Sequence, residues 1–157
     1  MKILFLVIGK TDESYLETGI SKYIKRLERY IPFEMKVIPD IKNRKTLSEE
    51  QQKKLEGELI LSQYNPGDEL ILLDEKGKTF SSVSFSQWIE HKLNVSNKRL
   101  VFVVGGPYGF SNDVYEKAKI KISLSEMTFS HQMIRLIFVE QLYRAFTIIK
   151  GEPYHHI

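Results

Sequence analysis

Three stretches of the chain concentrate the residue types that binding and catalysis use. They are Leu73-Asp74-Glu75-Lys76-Gly77, Gly105-Gly106-Pro107-Tyr108-Gly109 and Leu124-Ser125-Glu126-Met127-Thr128-Phe129. Each follows an apolar run of strand length. Clustered glycines let a ligand approach the main chain and leave N–H groups free to bind it. A tight strand-to-helix turn with no ligand accounts for Gly105-Gly106 equally well. The order G-G-x-x-G, with proline at 107, is not the dinucleotide fingerprint, and no Gly-Lys-Ser/Thr makes a P-loop. Nucleoside triphosphate hydrolysis loses ground accordingly. Ser125 sits in no G-x-S-x-G elbow, which argues against a serine hydrolase. The histidines are His91, His131, His155 and His156. His91 falls on a solvated helix face, and His131 opens the last helix in a position that suits capping or packing. His155-His156 are adjacent rather than spaced i, i+4, and no carboxylate set completes a metal site around them. A frayed tail is the bland reading of that end; Pro153, Tyr154 and two histidines are an expensive composition for one.

The elements that must hold these loops are legible from hydrophobic periodicity. The continuous apolar run Lys2–Ile8 reads as a strand buried on both faces, ended by Gly9. Asp12 is placed to cap a helix of about five turns whose apolar face is Leu16, Ile20, Tyr23, Ile24, Leu27 and Ile31. Phe33–Pro39 alternates as a second strand, and Ile41–Lys45 is a basic loop. Thr46 or Ser48 caps a second helix with Leu55, Leu59 and Ile60 inward. After the turn Asn65-Pro66-Gly67-Asp68, a third strand runs over Glu69–Leu73 and stops at a polar turn, Asp74–Lys78. A helix over Ser84–Asn94 and a strand over Arg99–Val104 follow. A short helix capped by Ser111 or Asn112, a strand over Ile120–Leu124 and a long helix over Ser130–Lys150 complete the chain. Alternating strands and helices predict an α/β fold, a mainly parallel sheet with helices on both faces. Ligands of such sheets bind beyond the carboxyl ends of the strands, where all three loops fall.

The last helix is apolar nearly all round. Met133, Leu136, Ile137 and Ile148 fall among Glu140, Arg144 and Thr147, opposite Phe138, Val139, Leu142, Phe146 and Ile149. A helix of that kind is buried on both sides. One side faces its own sheet, and a homodimer would cover the other.

Composition sets bounds. A chain of 157 residues with 42% hydrophobic and 27% charged side chains reads as one globular domain spanning 1–157. Folding a chain of this size buries roughly 70% of the exposable surface. There is no cysteine, which excludes disulfides, thiolate metal sites and a thiol nucleophile. The net charge of +3 permits an anionic partner without announcing one. No apolar run reaches the ~18 residues of a membrane span, and the first lacks the features of a signal peptide, so a cytoplasmic protein is expected.

From the third loop onward the chain closely resembles a known family. The run Leu124-Ser125-Glu126-Met127-Thr128-Phe129-Ser130-His131-Gln132-Met133-Ile134-Arg135 is followed by Glu140-Gln141-Leu142-Tyr143-Arg144-Ala145-Phe146 and by Gly151-Glu152-Pro153-Tyr154-His155. Together they resemble the ribosomal RNA large-subunit methyltransferase H family of the SPOUT superfamily. Lys2–Lys10, Leu73-Asp74 with Gly77-Lys78, and Val103–Gly109 match as well, so the likeness covers essentially the whole chain. It implies a C-terminal trefoil knot, which periodicity does not suggest and base rates oppose. It implies a homodimer, S-adenosylmethionine as cofactor, no metal, and methylation of N3 of a pseudouridine in 23S rRNA on the ribosome.

Carried over residue by residue, the family's cofactor contacts fall on Leu73, Gly105, Leu124, Ser125, Glu126, Met127, Thr128 and Phe129. Their chemistry agrees, since adenine needs an apolar slot with main-chain groups at its edge. Methyl transfer from a sulfonium asks for in-line geometry above all. The acceptor N3–H is a weakly acidic imide, so something must favour loss of its proton. The catalytic expectation rests on Tyr154 and His155 from one subunit's tail reaching the other's pocket, with His155 accepting the proton or orienting the base. Arg144, and less so Arg135, would bind phosphate or polarise uracil carbonyls, against a plain salt-bridging role with Glu140. Family members commonly end Tyr-His-Arg or Tyr-His-Lys, whereas this chain ends His155-His156-Ile157. Two other readings stand beside this one: a non-catalytic RNA- or ribosome-binding module, and a flavodoxin-like small-molecule binder.

Overall fold

The six residues Ile3–Ile8 form strand β1, and every one of them is buried. That is what an uninterrupted apolar run requires when both faces of a sheet are covered. The computed structural model describes residues 1–95 and 98–156, so of the tail the last residue, Ile157, lies outside the described part. In chain order the remaining elements are α1 (Ser14–Leu27), β2 (Phe33–Ile38), α2 (Glu49–Ser62), β3 (Glu69–Thr79), α3 (Ser82–Val95), β4 (Leu100–Val104), α4 (Asn112–Lys117), β5 (Ile120–Ser123) and α5 (Met133–Ile149). The strands form one sheet in the order β2-β1-β4-β3-β5. Every pairing is parallel. The α/β expectation, a parallel sheet with helices on both faces, therefore holds. No described helix is long and apolar enough to cross a membrane.

Alternate side chains of the central strands serve two cores. Phe5, Ile71, Phe102 and Val104 meet Ile20 of α1, Ile89 of α3 and Phe138, Leu142 and Phe146 of α5 on one face. Leu6, Leu72, Val101 and Val103 meet Ile60 of α2 and Val114 of α4 on the other. Phe138 packs with tilted ring planes against both Phe5 and Phe102, with centroids 4.6 and 4.8 Å away, and this centres α5 on the sheet.

Four local expectations are corrected. Asp12 does not cap α1: residue Glu13 stands at the cap without a side-chain bond, and the Asp12 N–H instead donates to Gln132 Oε1 at 2.9 Å. The helix is also shorter than its apolar pattern, ending at Leu27. In α2, Ser48 makes a complete capping box with Gln51, as the sequence allows. The buried face, however, is Gln52, Glu56, Gly57 and Ile60, while Leu55 and Leu59 are exposed. Gly57 explains the rotation, because a Cβ there would overlap the Ser111 side chain and press on Val114 Cγ2 at 3.2 Å. The close approach of α4 thus turns the glycine inward. At α5, Ser130 accepts the Met133 N–H through its hydroxyl and the Ile134 N–H through its carbonyl, and regular helix starts at Met133.

The fourth correction concerns the polar turn. Asp74–Lys78 lies inside β3, which continues to Thr79. Leu73 and Lys78 both pair with Ile122, so the residues between them bulge out of register. At Gly77 the β5 main chain passes so close that a Cβ would lie 2.5 Å from the Ile122 nitrogen and 2.6 Å from the Lys121 carbonyl carbon. Neither obstacle is a side chain that can swing away. Gly77→Ala should therefore lower the unfolding free energy by about 2 kcal/mol or more, seen as a drop in the urea midpoint at unchanged slope.

Candidate functional site

The parallel register brings the carboxyl ends of β3, β4 and β5 side by side, because Leu73 pairs with both Val104 and Ile122. The loops that leave these ends enclose a cavity of about 420 Å3. Its wall takes Leu73, Asp74 and Glu75 from the β3 bulge and Gly105, Gly106, Pro107 and Gly109 from the glycine loop. Leu124, Ser125, Met127, Thr128 and Phe129 come from the loop after β5, His131 from the turn that precedes α5 and Ile134 from its first turn. Of the eight residues expected around a cofactor, seven line this space. Glu126 does not and is exposed. Asp74, Glu75 and Gly106 lie in the candidate loops the sequence singles out, whereas His131 and Ile134 were not expected to line the cavity. For His131 and Ile134 no local signal existed, since α5 reaches the strand ends only through packing.

Polar contacts fix the loops. Ser123 Oγ donates to the Ser125 carbonyl at 2.8 Å, and Ser125 Oγ accepts the Met127 N–H at 2.9 Å. Met127 is left 76% exposed at the rim, free to fold over an occupant. Asp74 accepts a short bond from the Tyr115 hydroxyl and takes the Lys76 N–H at 2.8 Å. Burial, then the bond to Asp74, raises the Tyr115 hydroxyl to about 12. The glycine loop closes on itself through Gly109 N–H to the Gly106 carbonyl at 3.2 Å. The cavity's volume suits a nucleoside-sized ligand, with apolar side chains for a flat ring and glycine main chain for polar edges.

Arg135 is not free to meet RNA or a base. It is fully buried, and its guanidinium donates to the carbonyls of Ile8 and Gly9 at 2.8 Å, to the His131 carbonyl at 3.1 Å and to Thr11 Oγ1 at 3.2 Å. Burial pushes its pKa down, while Asp12 and Asp40 oppose that shift. It is a structural clamp between β1 and α5.

The tail residues gather elsewhere, on the side of α5 that faces α1. Arg144 donates to Glu140 Oε1 at 2.6 Å and to His155 Nδ1 at 3.0 Å, and lies over the Tyr154 ring at 4.8 Å. The Tyr154 hydroxyl donates to Glu140 Oε1 at 2.9 Å and lies 3.3 Å from that of Tyr23. Burial, reinforced by Tyr23 and Glu140, raises the Tyr154 pKa strongly. Tyr30, bonded to Glu152 at 2.6 Å, is raised to about 12, chiefly by burial. Neither Tyr154 nor His155 lines the cavity. Among the described residues no group of three or more His, Asp or Glu is arranged to hold a metal ion.

An all-parallel sheet with a nucleoside-sized cavity at its carboxyl edge defines an α/β small-molecule-binding protein. A family model described as a predicted SPOUT methyltransferase matches residues 1–155. This chain belongs to that family of methyltransferases, whose methyl donor is S-adenosylmethionine. It is 66% identical over 156 residues to a protein of Parabacteroides distasonis named ribosomal RNA large subunit methyltransferase H. It is 64% identical to a protein of the same name from Flavobacterium psychrophilum, and both matches cover 99% of each chain. A solved structure of a probable methylase family protein from Haemophilus influenzae is similar over 95% of this chain and 66% of that one, at 13% identity and a TM-score of 0.48.

Two outcomes follow. Gly105→Val places a branched side chain where a Cβ already meets Phe110 at 3.1 Å, so its S-adenosylmethionine affinity measured by calorimetry should fall by about tenfold or more. The second concerns alkaline pH. Tyr30 and Tyr115 stay protonated in the folded protein to about 12, whereas an unfolded tyrosine ionises near 10.0. A raised folded pKa gives stability that is complete below the unfolded value and lost above it. The denaturation midpoint, followed in urea at a series of pH values, should therefore decline from pH 10 upward.

Proposed function

We propose that this chain methylates N3 of a pseudouridine in 23S rRNA of the large ribosomal subunit, working as a homodimer in the cytoplasm. The observation that carries this reading is the end-to-end match, at 66% identity, to a relative whose name states ribosomal RNA of the large subunit as its substrate. The cavity supports it with apolar and glycine surfaces suited to an adenosyl group. S-adenosylmethionine supplies an electrophilic methyl on a cationic sulfur. Leu73, Leu124, Met127 and Phe129 provide the apolar slot, and the Gly105–Gly109 main chain provides the polar edge. Family membership also implies the trefoil knot in the C-terminal part.

The placement of the tail supports the dimer. Tyr154 and His155 are held by Arg144, Glu140 and Tyr23 away from their own cavity, so they serve catalysis only if a second copy presents them to it. Met133, Leu136, Ile137 and Ile148 of α5 are apolar and only half-buried within the protomer, which gives that copy a surface to cover. Arg144 also decides what His155 can do. A guanidinium is always a donor, so the His155 Nδ1 it contacts must accept, and a neutral ring then carries its proton on Nε2. His155 is thereby a hydrogen-bond donor that orients the uracil-like ring and stabilises the charge left when N3 loses its proton, rather than the group that takes the proton. Tyr154, kept protonated, gives its single O–H to Glu140 and so holds the group that positions His155.

The test is mass spectrometry of 23S rRNA from cells lacking the protein, combined with single-turnover methylation of ribosomal particles. The modification should vanish without the protein. His155→Ala and Tyr154→Phe should each slow methyl transfer by about tenfold or more at unchanged cofactor affinity. Wild-type rates for both variants would refute the role given to the tail.

A further inference from the structure

Glu56 is a carboxyl group that the proposed chemistry does not use, yet it is only 3% exposed. A buried carboxyl needs partners, and this one has half of what it needs. Gln52 Nε2 donates to Oε2 at 3.1 Å, while Oε1 has no hydrogen-bond partner. What lies against the carboxyl is the glycine loop: a Cβ on Gly106 would stand 2.6 Å from each oxygen of Glu56. Gly106 is itself a wall residue of the cavity. The carboxyl is thus separated from the ligand space by one main-chain layer, and that layer can lie there only because residue 106 has no side chain. Burial raises the Glu56 pKa; the Gln52 bond and Arg44 oppose this, and Asp40 reinforces it.

We propose that Glu56 is a positioning residue for the cofactor cavity, a polar floor under the Gly105–Gly109 loop whose free Oε1 is the acceptor for a main-chain N–H of that loop when the cavity is filled. The inference rests on the cavity being the S-adenosylmethionine site. Glu56 touches no ligand. It sets where the loop stands and hence how well the loop's main chain meets an adenosyl ligand. Two features of the fold point the same way. The inward turn of Gly57, beside Ser111, seats α2 tightly enough to bring Glu56 under the loop. The side chain on the same face one turn further on, Ile60, is purely apolar and belongs to the core.

The experiment compares five single variants of the full-length protein, Glu56→Ala among them, and one double variant, for S-adenosylmethionine affinity by calorimetry and for thermal stability. Glu56→Gln keeps the shape and a carbonyl acceptor, and should bind within about threefold of wild type. Glu56→Met fills the space without an acceptor and should bind about tenfold more weakly. Ile60→Ala should lower the melting temperature without weakening binding. Gly106→Ala should weaken binding, and the double variant Gly106→Ala/Glu56→Ala should bind no worse than Gly106→Ala alone, because removing the carboxyl relieves the overlap. Wild-type affinity in Glu56→Met, or strictly additive losses in the double variant, would overturn the proposal. If Glu56→Met does not fold, the double-variant comparison still decides. Should Gly105→Val bind normally as well, it is the cavity assignment that has failed; if Gly105→Val is impaired while Glu56→Met binds normally, only the role of Glu56 has.

Discussion

The buried guanidinium of Arg135 is the constraint on which the arrangement of the strand ends depends. It occupies the interior with no carboxylate in contact, held by the carbonyls of Ile8, Gly9 and His131 and the Thr11 hydroxyl. A cation buried that way is tolerable only when its donors are satisfied, and main-chain carbonyls at a strand end are acceptors that would otherwise go unmet. The contact has two ends. It ties the last residues of β1 to the first turn of α5, where Ile134, with His131 just before the helix, lines the cavity. Phe138, just under one turn further, then drops between Phe5 and Phe102 and fixes the roll of the helix.

From that fixed point the site assembles by register. β3, β4 and β5 end at the same height, so three loops far apart in sequence become three sides of one cavity. Two of these loops are shaped by a close approach that excludes side chains: β5 over Gly77 on one side, Glu56 under Gly106 on the other. The same helix that closes the cavity at its first turn carries Glu140 and Arg144 two to three turns later, where they gather Tyr154 and His155. A single rigid helix thereby separates a cofactor end from a tail end. That separation is why a second copy becomes part of the functional reading.

Much of this was legible in the chain. Strands announced themselves as apolar runs, Ser48 and Ser111 as caps, and the α/β class as an alternation of periods. The three loops were recognisable as a set because each follows a strand. What was missed has a common cause. Asp12 looked like a cap, but Gln132, 120 positions away, took its amide. Leu55 and Leu59 looked like the core of α2, but the approach of α4 turned Gly57 inward and carried Gln52 and Glu56 in with it. Asp74–Lys78 looked like a turn, yet the pairing of Thr79 with Ser123 keeps it within a bulged strand. Arg135 looked like a ligand for phosphate, and the clamp it forms needed a partner 126 positions earlier.

The sequence by itself determined the fold class, the family and the identity of the loops that matter, because local periodicity and motif order are properties of neighbours along the chain. Only the tertiary structure decided that Arg135 is a clamp, that Glu126 stays outside the cavity while His131 lines it, and that the Glu56 carboxyl is buried against the glycine loop. It also decided which side of the His155 ring Arg144 occupies. The physical reason is the same in each case: burial and the choice of hydrogen-bond partner are set by groups distant in sequence, and nothing in a residue's own neighbourhood encodes which of them will arrive.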